Sequence, residues 1–189
     1  MIIAITGCIG SGKSYILNLI HQNYGYDTFS SDIIAKTAYE DEIIKAKLDE
    51  AFNCVINNKV DKQIIKDKLN EESIQLLNSI IHPYVKNKII EIKAKYTNSI
   101  SFVEVPLLFE SKMENIFDKV LVISSNEDVR LKRLQKRDPI SYKDMLKLQQ
   151  YQFSDKEKVE RADYVIQNND NLDDTVKQID ELIKIINSR

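Results

Sequence analysis

The sequence predicts an α/β fold, a parallel sheet of about five strands flanked by helices, on three observations. Apolar runs of strand length, beginning with Met1 to Ile5, alternate with helix-patterned stretches. A glycine-rich window, Gly7-Cys8-Ile9-Gly10-Ser11-Gly12-Lys13-Ser14, joins the first run to the first helix. Roughly sixty residues of helical pattern then separate the second strand from the third, too many for a single crossover helix.

Each element follows in order. Met1 to Ile5 is continuously apolar rather than alternating, the pattern of a buried central strand. The next window reads G-x-x-x-x-G-K-S and holds three of the four glycines in the chain. Strand, glycine turn and helix make this a nucleotide phosphate loop, which implies a fold of the P-loop NTPase type. Its backbone N–H groups converge on one point, and the following helix adds its positive N-terminal end. Lys13 is expected to reach the β- and γ-phosphates, and the Ser14 hydroxyl to ligate Mg²⁺.

A helix from Lys13 to about Asn23 is stopped by Gly25, and Asp27 to Ser31 forms a second strand ending in Ser-Ser-Asp. Residues 33–96 read as a helical insertion able to form a substrate lobe, with only Cys54 to Ile56 extended. Ile100 to Val105 returns to strand and Pro106 stops it; Lys119 to Ser124 is a further buried strand. A basic helix from about Asp128 to Lys136 and a helix from Tyr142 to Arg161 make residues 126–161 a candidate lid with flanking helices. Tyr164 to Gln167 is the fifth strand. The terminal helix, Leu172 to Asn187, carries Leu172, Val176, Ile179, Leu182, Ile183 and Ile186 on one face.

The 189 residues suit one domain, 1–189, with that insertion inside it; 43% are apolar and 30% charged. A net charge of −2 provides no global positive field to recruit nucleic acid or an anionic membrane. Cys8 and Cys54 form no C-x-x-C pair and imply neither a disulfide framework nor a zinc site. No stretch approaches a membrane span, and the N-terminal run is too short for a signal peptide, so the cytoplasm is expected. The oligomeric state is left open.

A phosphate loop alone does not separate kinases from GTPase switches. Asn58-Lys59-Val60-Asp61 matches the guanine-reading N-K-x-D, but it precedes the third strand, and no glycine follows Gly25 to make D-x-x-G. Asn57-Asn58 reads instead as a turn, since Asn tolerates positive φ. Asp32, at the C-terminal end of the second strand, either accepts the proton of an acceptor hydroxyl or caps the next helix. In the run Arg130 to Arg137 five of eight residues are basic, and Arg130, Arg133 and Arg137 share a helical face. Such a face is simply solvated, supplies an arginine to a transferring phosphoryl group, or binds nucleic acid, the last disfavoured by the acidic balance and the lack of interleaved aromatics.

Taken together, these segments resemble the dephospho-CoA kinases, P-loop enzymes that phosphorylate the ribose 3′-hydroxyl of dephospho-CoA with ATP. The resemblance rests on Thr6 to Ser14, Ser31-Asp32-Ile33-Ile34-Ala35, His82-Pro83, Val105-Pro106-Leu107-Leu108-Phe109-Glu110, Arg133-Leu134, Arg137-Asp138 and Ala162 to Ile166 with Asn168. It implies that Asp32 activates the 3′-hydroxyl and that Arg137 meets the ATP phosphates. It further implies that Lys62, His82, Pro106, Leu107, Leu108 and Glu110 line the dephospho-CoA pocket, and that Asn168 approaches adenine. ATP would contact Gly7, Cys8, Ile9, Gly10, Ser11, Gly12, Lys13, Ser14 and Tyr15, with Mg²⁺ on Ser14. Residues 33–96 correspond to the family's CoA lobe.

On the residues alone, His82-Pro83 also suits a helix start, Leu107-Leu108-Phe109 also suits plain core, and Glu104 suits either a structural role or a hold on Mg²⁺-bound water. Cys8 stands where the family usually has glycine, and a thiol beside a helix N-terminus raises the expectation of oxidative sensitivity. Lys62 stands where arginine is usual and lacks its bidentate geometry.

Overall fold

The computed structural model describes residues 1–137 and 141–188, without the side chains at positions 142, 144, 147 and 148. In chain order its elements are β1 (Ile2–Thr6), α1 (Lys13–Tyr24), β2 (Asp27–Ser30), α2 (Ser31–Thr37), α3 (Glu42–Phe52), β3 (Val55–Ile56), β4 (Lys59–Val60), α4 (Lys62–Asp67) and α5 (Glu71–Lys95). There follow β5 (Ser101–Glu104), β6 (Lys119–Ser124), α6 (Glu127–Arg137), α7 (Tyr142–Gln149), α8 (Asp155–Glu160), β7 (Tyr164–Gln167) and α9 (Leu172–Asn187). The chain divides into two compact units, Met1–Phe29 with Tyr96–Arg189, and Ser30–Lys95.

The first unit is built on a five-stranded sheet of order β2-β5-β1-β6-β7. β1 pairs in parallel with β5 and β6, and β6 in parallel with β7. All five β1 residues are buried, as a strand covered on both faces requires. Ile3 and Ile5 pack with Phe102, Leu121 and Ile123 of the neighbouring strands and with Ile16 and Ile20 of α1. From α9, Ile179, Leu182, Ile183 and Ile186 join the same core. Burying each such side chain stabilises the unit by about 1.5–3 kcal/mol, so truncating one to alanine costs about 2–5 kcal/mol. The sheet puts the turn after β1 and the ends of β5, β6 and β7 along one edge, where ligands of parallel sheets bind.

Two expectations are corrected in this unit. The helix expected over Tyr142 to Arg161 is broken into α7 and α8, because Ser154 starts a new helix. Its hydroxyl accepts from the Glu157 N–H at 3.2 Å while the Glu157 carboxylate accepts from the Ser154 N–H at 2.9 Å. On α9, Leu172 is 51% exposed and Thr175 is buried in its stead. Leu172 lies in the first turn, which Asn171 caps by accepting from the N–H groups of Asp173 and Asp174.

The second unit is helical apart from the β3–β4 hairpin. Its turn residues Asn57 and Asn58 have φ of 50° and 62°, the left-handed pair that a two-residue hairpin needs. Asp61 caps α4, accepting from the Gln63 N–H at 2.8 Å. The N-K-x-D string is therefore a turn followed by a cap. Pro83 lies inside α5 rather than at its start; the helix begins near Asn70 and Ser73, which exchange cap bonds of 2.9 and 2.6 Å. A proline in a helix interior costs about 3 kcal/mol, which burial of Ile81, Val85 and Ile89 offsets. Among the described residues no helix is long and apolar enough to cross a membrane.

Candidate functional site

The phosphate loop leaves β1 at Gly7, whose φ is 152° and where a Cβ would stand 2.2 Å from the Ile123 carbonyl oxygen. Gly12, at φ 91°, admits a Cβ no better, since it would meet Asn168 Nδ2 at 2.3 Å. These two glycines let the chain turn tightly against β6 and the segment after β7. Cys8 is not among the residues with positive φ, so a side chain is accommodated there without that strain.

Lys13 opens α1 with its side chain 8% exposed and folded back over the loop; Nζ donates to the carbonyls of Gly7 at 2.9 Å and Cys8 at 3.1 Å. Next to it the Ser14 hydroxyl donates to Glu104 Oε1, at the end of β5, at 2.9 Å. A hydroxyl beside a buried carboxylate is a pair of hard oxygens suited to Mg²⁺ or its bound water. Glu104, weighed between a structural and a metal-linked role from the sequence, thus lies directly against the Ser14 hydroxyl.

Beyond Gly12 a cavity of about 360 Å³ opens between Gly12, Tyr15, Arg133, Asn168, Asn169, Asp170 and Leu172. Asn168 is fixed from two sides, donating its N–H to Ser124 O at 2.8 Å and Nδ2 to Ser11 O at 2.7 Å. Arg133 holds the wall, with Nη1 donating to Asn168 O at 2.9 Å and Nη2 to Asn169 O at 3.3 Å. The planar guanidinium and the exposed Leu172 give this cavity the flat, partly apolar lining that suits a heteroaromatic base. Arg133, which the sequence marks only by its basic face and the resemblance, and Leu172, expected on the apolar face of α9, both line this cavity.

The opposite wall of the loop comes from the segment after α7. Gln152 Oε1 accepts from the Ile9 N–H at 3.0 Å, and the Cys8 thiol donates to Phe153 O at 3.7 Å. Phe153 in turn donates its N–H to Glu110 Oε1 at 2.7 Å, and that same oxygen meets Lys158 Nζ at 2.8 Å. Lys158 is 0% exposed. Arg130 is buried on α6, and the Gln149 side-chain carbonyl, with its amide turned to face it, accepts from Nη1 at 2.5 Å and Nη2 at 2.9 Å.

In the segment after β5 the residues separate. Leu107 is exposed, whereas Leu108 is 0% exposed and Phe109 is also buried. Leu108 therefore offers no surface to a ligand, because the chain turns it into the core. The Pro106 carbonyl accepts from the Thr6 hydroxyl at 3.3 Å and from Lys158 Nζ at 3.4 Å. Arg137 ends α6 with an exposed side chain, and Asp138 lies outside the described residues.

The second unit carries the other candidates. Asp32 stands in the first turn of α2, exposed, while the helix cap is Ser30. The cap alternative for Asp32 is thereby corrected. Its carboxylate makes no hydrogen bond or ion pair among the described residues. Lys62 places Nζ 4.5 Å from the centroid of the Tyr39 ring, a cation–π contact that keeps the ammonium against an aromatic face. Solvent reaches His82, yet packing around its ring lowers its pKa below the ordinary 6.5 by desolvation. Cys8 departs from expectation in a further way. Burial pushes its thiol above the ordinary value, with Arg130 opposing and Asp155 adding to the rise. At 2% exposure it is a protected thiol, not an activated one.

Comparison with known proteins finds relatives along nearly the whole chain. The family model described as dephospho-CoA kinase matches residues 1–174. A dephospho-CoA kinase of Fusobacterium nucleatum is 36% identical over 191 aligned residues, covering 98% of both chains. Among solved structures, a Thermus thermophilus protein superimposes with a TM-score of 0.81 at 27% identity, covering 97% of this chain and 96% of its own. The dephospho-CoA kinase of Campylobacter jejuni gives a TM-score of 0.73 at 30% identity, covering 98% and 96%.

Proposed function

Since the chain belongs to the dephospho-CoA kinase family, and thus transfers the γ-phosphoryl group of ATP to the ribose 3′-hydroxyl of dephospho-CoA, we propose that Lys13, Ser14, Arg137 and Asp32 carry the transfer. Lys13 leaves the Gly7 and Cys8 carbonyls for the β- and γ-phosphate oxygens, whose negative charge makes them stronger acceptors than a neutral carbonyl. Ser14 and Glu104 would hold Mg²⁺, which would supply positive charge against the triphosphate. The adenine occupies the cavity between Gly12, Tyr15, Arg133 and Asn168.

The Asp32 carboxylate accepts the proton of the 3′-hydroxyl. That oxygen bonds to the γ-phosphorus, the bond from γ-phosphorus to the β–γ bridging oxygen breaks, and ADP leaves. Proton loss is late in such a loose transition state, so orientation of the hydroxyl is the main contribution of Asp32. Arg137 stabilises charge on the transferring group. Lys62, His82, Pro106, Leu107 and Glu110 serve the acceptor side, Pro106 through its carbonyl and Glu110 through the ion pair with Lys158. Residues 33–96 act as the acceptor lobe and 126–161 as the lid, and the enzyme works in the cytoplasm.

The observation that carries this reading is the junction of Lys13, Ser14 and Glu104 on a loop beside a base-sized cavity. The test is ADP release from Mg-ATP with dephospho-CoA, adenosine or no acceptor, with the product weighed by mass spectrometry. Stimulation by dephospho-CoA alone, giving a product heavier by one phosphoryl group, is expected. Equal release without acceptor would overturn the reading.

A further inference from the structure

We infer that Gln152 is a γ-phosphate donor, a side chain that distinguishes ATP from ADP at the far lip of the loop; this rests on the kinase reading above and adds a residue to it. The cavity for the base touches the loop at Gly12 and continues to Tyr15 on α1, so the nucleoside end lies there. Lys13 Nζ sits at the carbonyls of Gly7 and Cys8, at the other end of the same loop. A triphosphate laid from Gly12 toward that ammonium brings its terminal phosphate to the lip formed by Cys8 and Ile9.

Gln152 stands at that lip. Its Oε1 is occupied, accepting from the Ile9 N–H at 3.0 Å, while its Nε2 makes no hydrogen bond among the described residues. An amide pinned by its oxygen beside an anion site presents two N–H donors and no negative charge. The residue that follows holds it in place. Phe153 is fixed at both backbone groups, its N–H on Glu110 and its carbonyl under the Cys8 thiol, and Arg161 lies 4.5 Å from its ring centroid. Behind it the ion pair of Glu110 with the fully buried Lys158 leaves the segment little freedom. Among the described residues, Gln152, Phe153, Glu110, Lys158 and Arg161 do not line the base cavity, so their effect belongs to the terminal phosphate.

The test is Gln152→Glu, which keeps an oxygen for the Ile9 N–H and replaces the N–H donors by negative charge. Binding of Mg-ADP and of a non-hydrolysable Mg-ATP analogue is measured by calorimetry on the full chain, with Gln152→Ala as a second variant. Losing a charge-assisted hydrogen bond should weaken the ATP analogue by about tenfold or more in both variants, and more in the glutamate one. ADP affinity should stay within about twofold. Equal weakening of both nucleotides, or of neither, would overturn the assignment. A merely structural role predicts that equal loss, with a lowered Tm. Because the readout needs no acceptor, it is independent of whether dephospho-CoA is phosphorylated, which wild-type turnover in the same preparation decides.

Discussion

The phosphate loop and the second unit present their reactive groups in opposite ways. In the loop, Lys13, Ser14, Asn168 and Arg133 already hold protein partners, from the Gly7 carbonyl to Glu104 and the Ser11 carbonyl. In the second unit, Asp32 is exposed and has no hydrogen bond or ion pair among the described residues, and the Lys62 ammonium rests on an aromatic face. A site that binds phosphate through fixed donors benefits from preorganisation, because nothing has to be ordered when charge develops. An acceptor base benefits from being unpaired, since an ion pair would compete for the hydroxyl it must orient. Damage to the loop should therefore remove nucleotide binding, and damage to Asp32 only turnover.

The largest expected effect sharpens the first half of that contrast. Gly12→Ala introduces a Cβ within 2.3 Å of Asn168 Nδ2 at a φ of 91°, and should abolish detectable ATP binding while the protein still folds. Retained binding in a calorimetric titration would break the claim that the loop is rigidly wired. Lys158→Met removes one partner of the buried pair with Glu110 and should destabilise by about 3–5 kcal/mol in urea unfolding, because the carboxylate is left uncompensated. A loss below about 1 kcal/mol would show that solvent already screens the pair. Arg133→Ala should weaken ATP and ADP alike by about tenfold, since it removes the wall of the base cavity and not a phosphate contact. A loss confined to ATP would move Arg133 to the phosphates.

The smallest expected effect concerns Cys8. Its folded-state pKa is raised, so the thiol stays neutral through the physiological range, and its stability contribution is complete below the ordinary value of 9.0. That contribution is lost only as pH rises through the folded value. Iodoacetamide at pH 8 should accordingly leave Cys8 and the buried Cys54 unlabelled in the native protein and label both in urea. Rapid native labelling at Cys8 would show that the segment around Phe153 uncovers it.

How much of this was legible in the sequence divides along the same line. The sheet, the loop and the Asn57-Asn58 turn follow from local pattern, because apolar continuity, glycine spacing and asparagine at positive φ act within a few residues. The wiring of the loop does not. Gln152 and Ile9 are 143 positions apart, and Ser14 and Glu104 are 90 apart, so no periodicity connects them. The restart at Ser154 is written as S-x-x-E, but the flanking stretches both have helical composition and hide the break. The exposure of Leu172 had no local signal: its spacing matches the buried face of α9, and only the first turn's place beside the cavity sets it apart.

The most direct measurement of the contrast is Asp32→Asn, assayed for kcat with dephospho-CoA and for ATP affinity by titration in the same preparation. The account predicts a fall in kcat of about 10²- to 10⁴-fold with ATP affinity within about twofold of wild type. Near-normal turnover, or a matching loss of ATP binding, would contradict it.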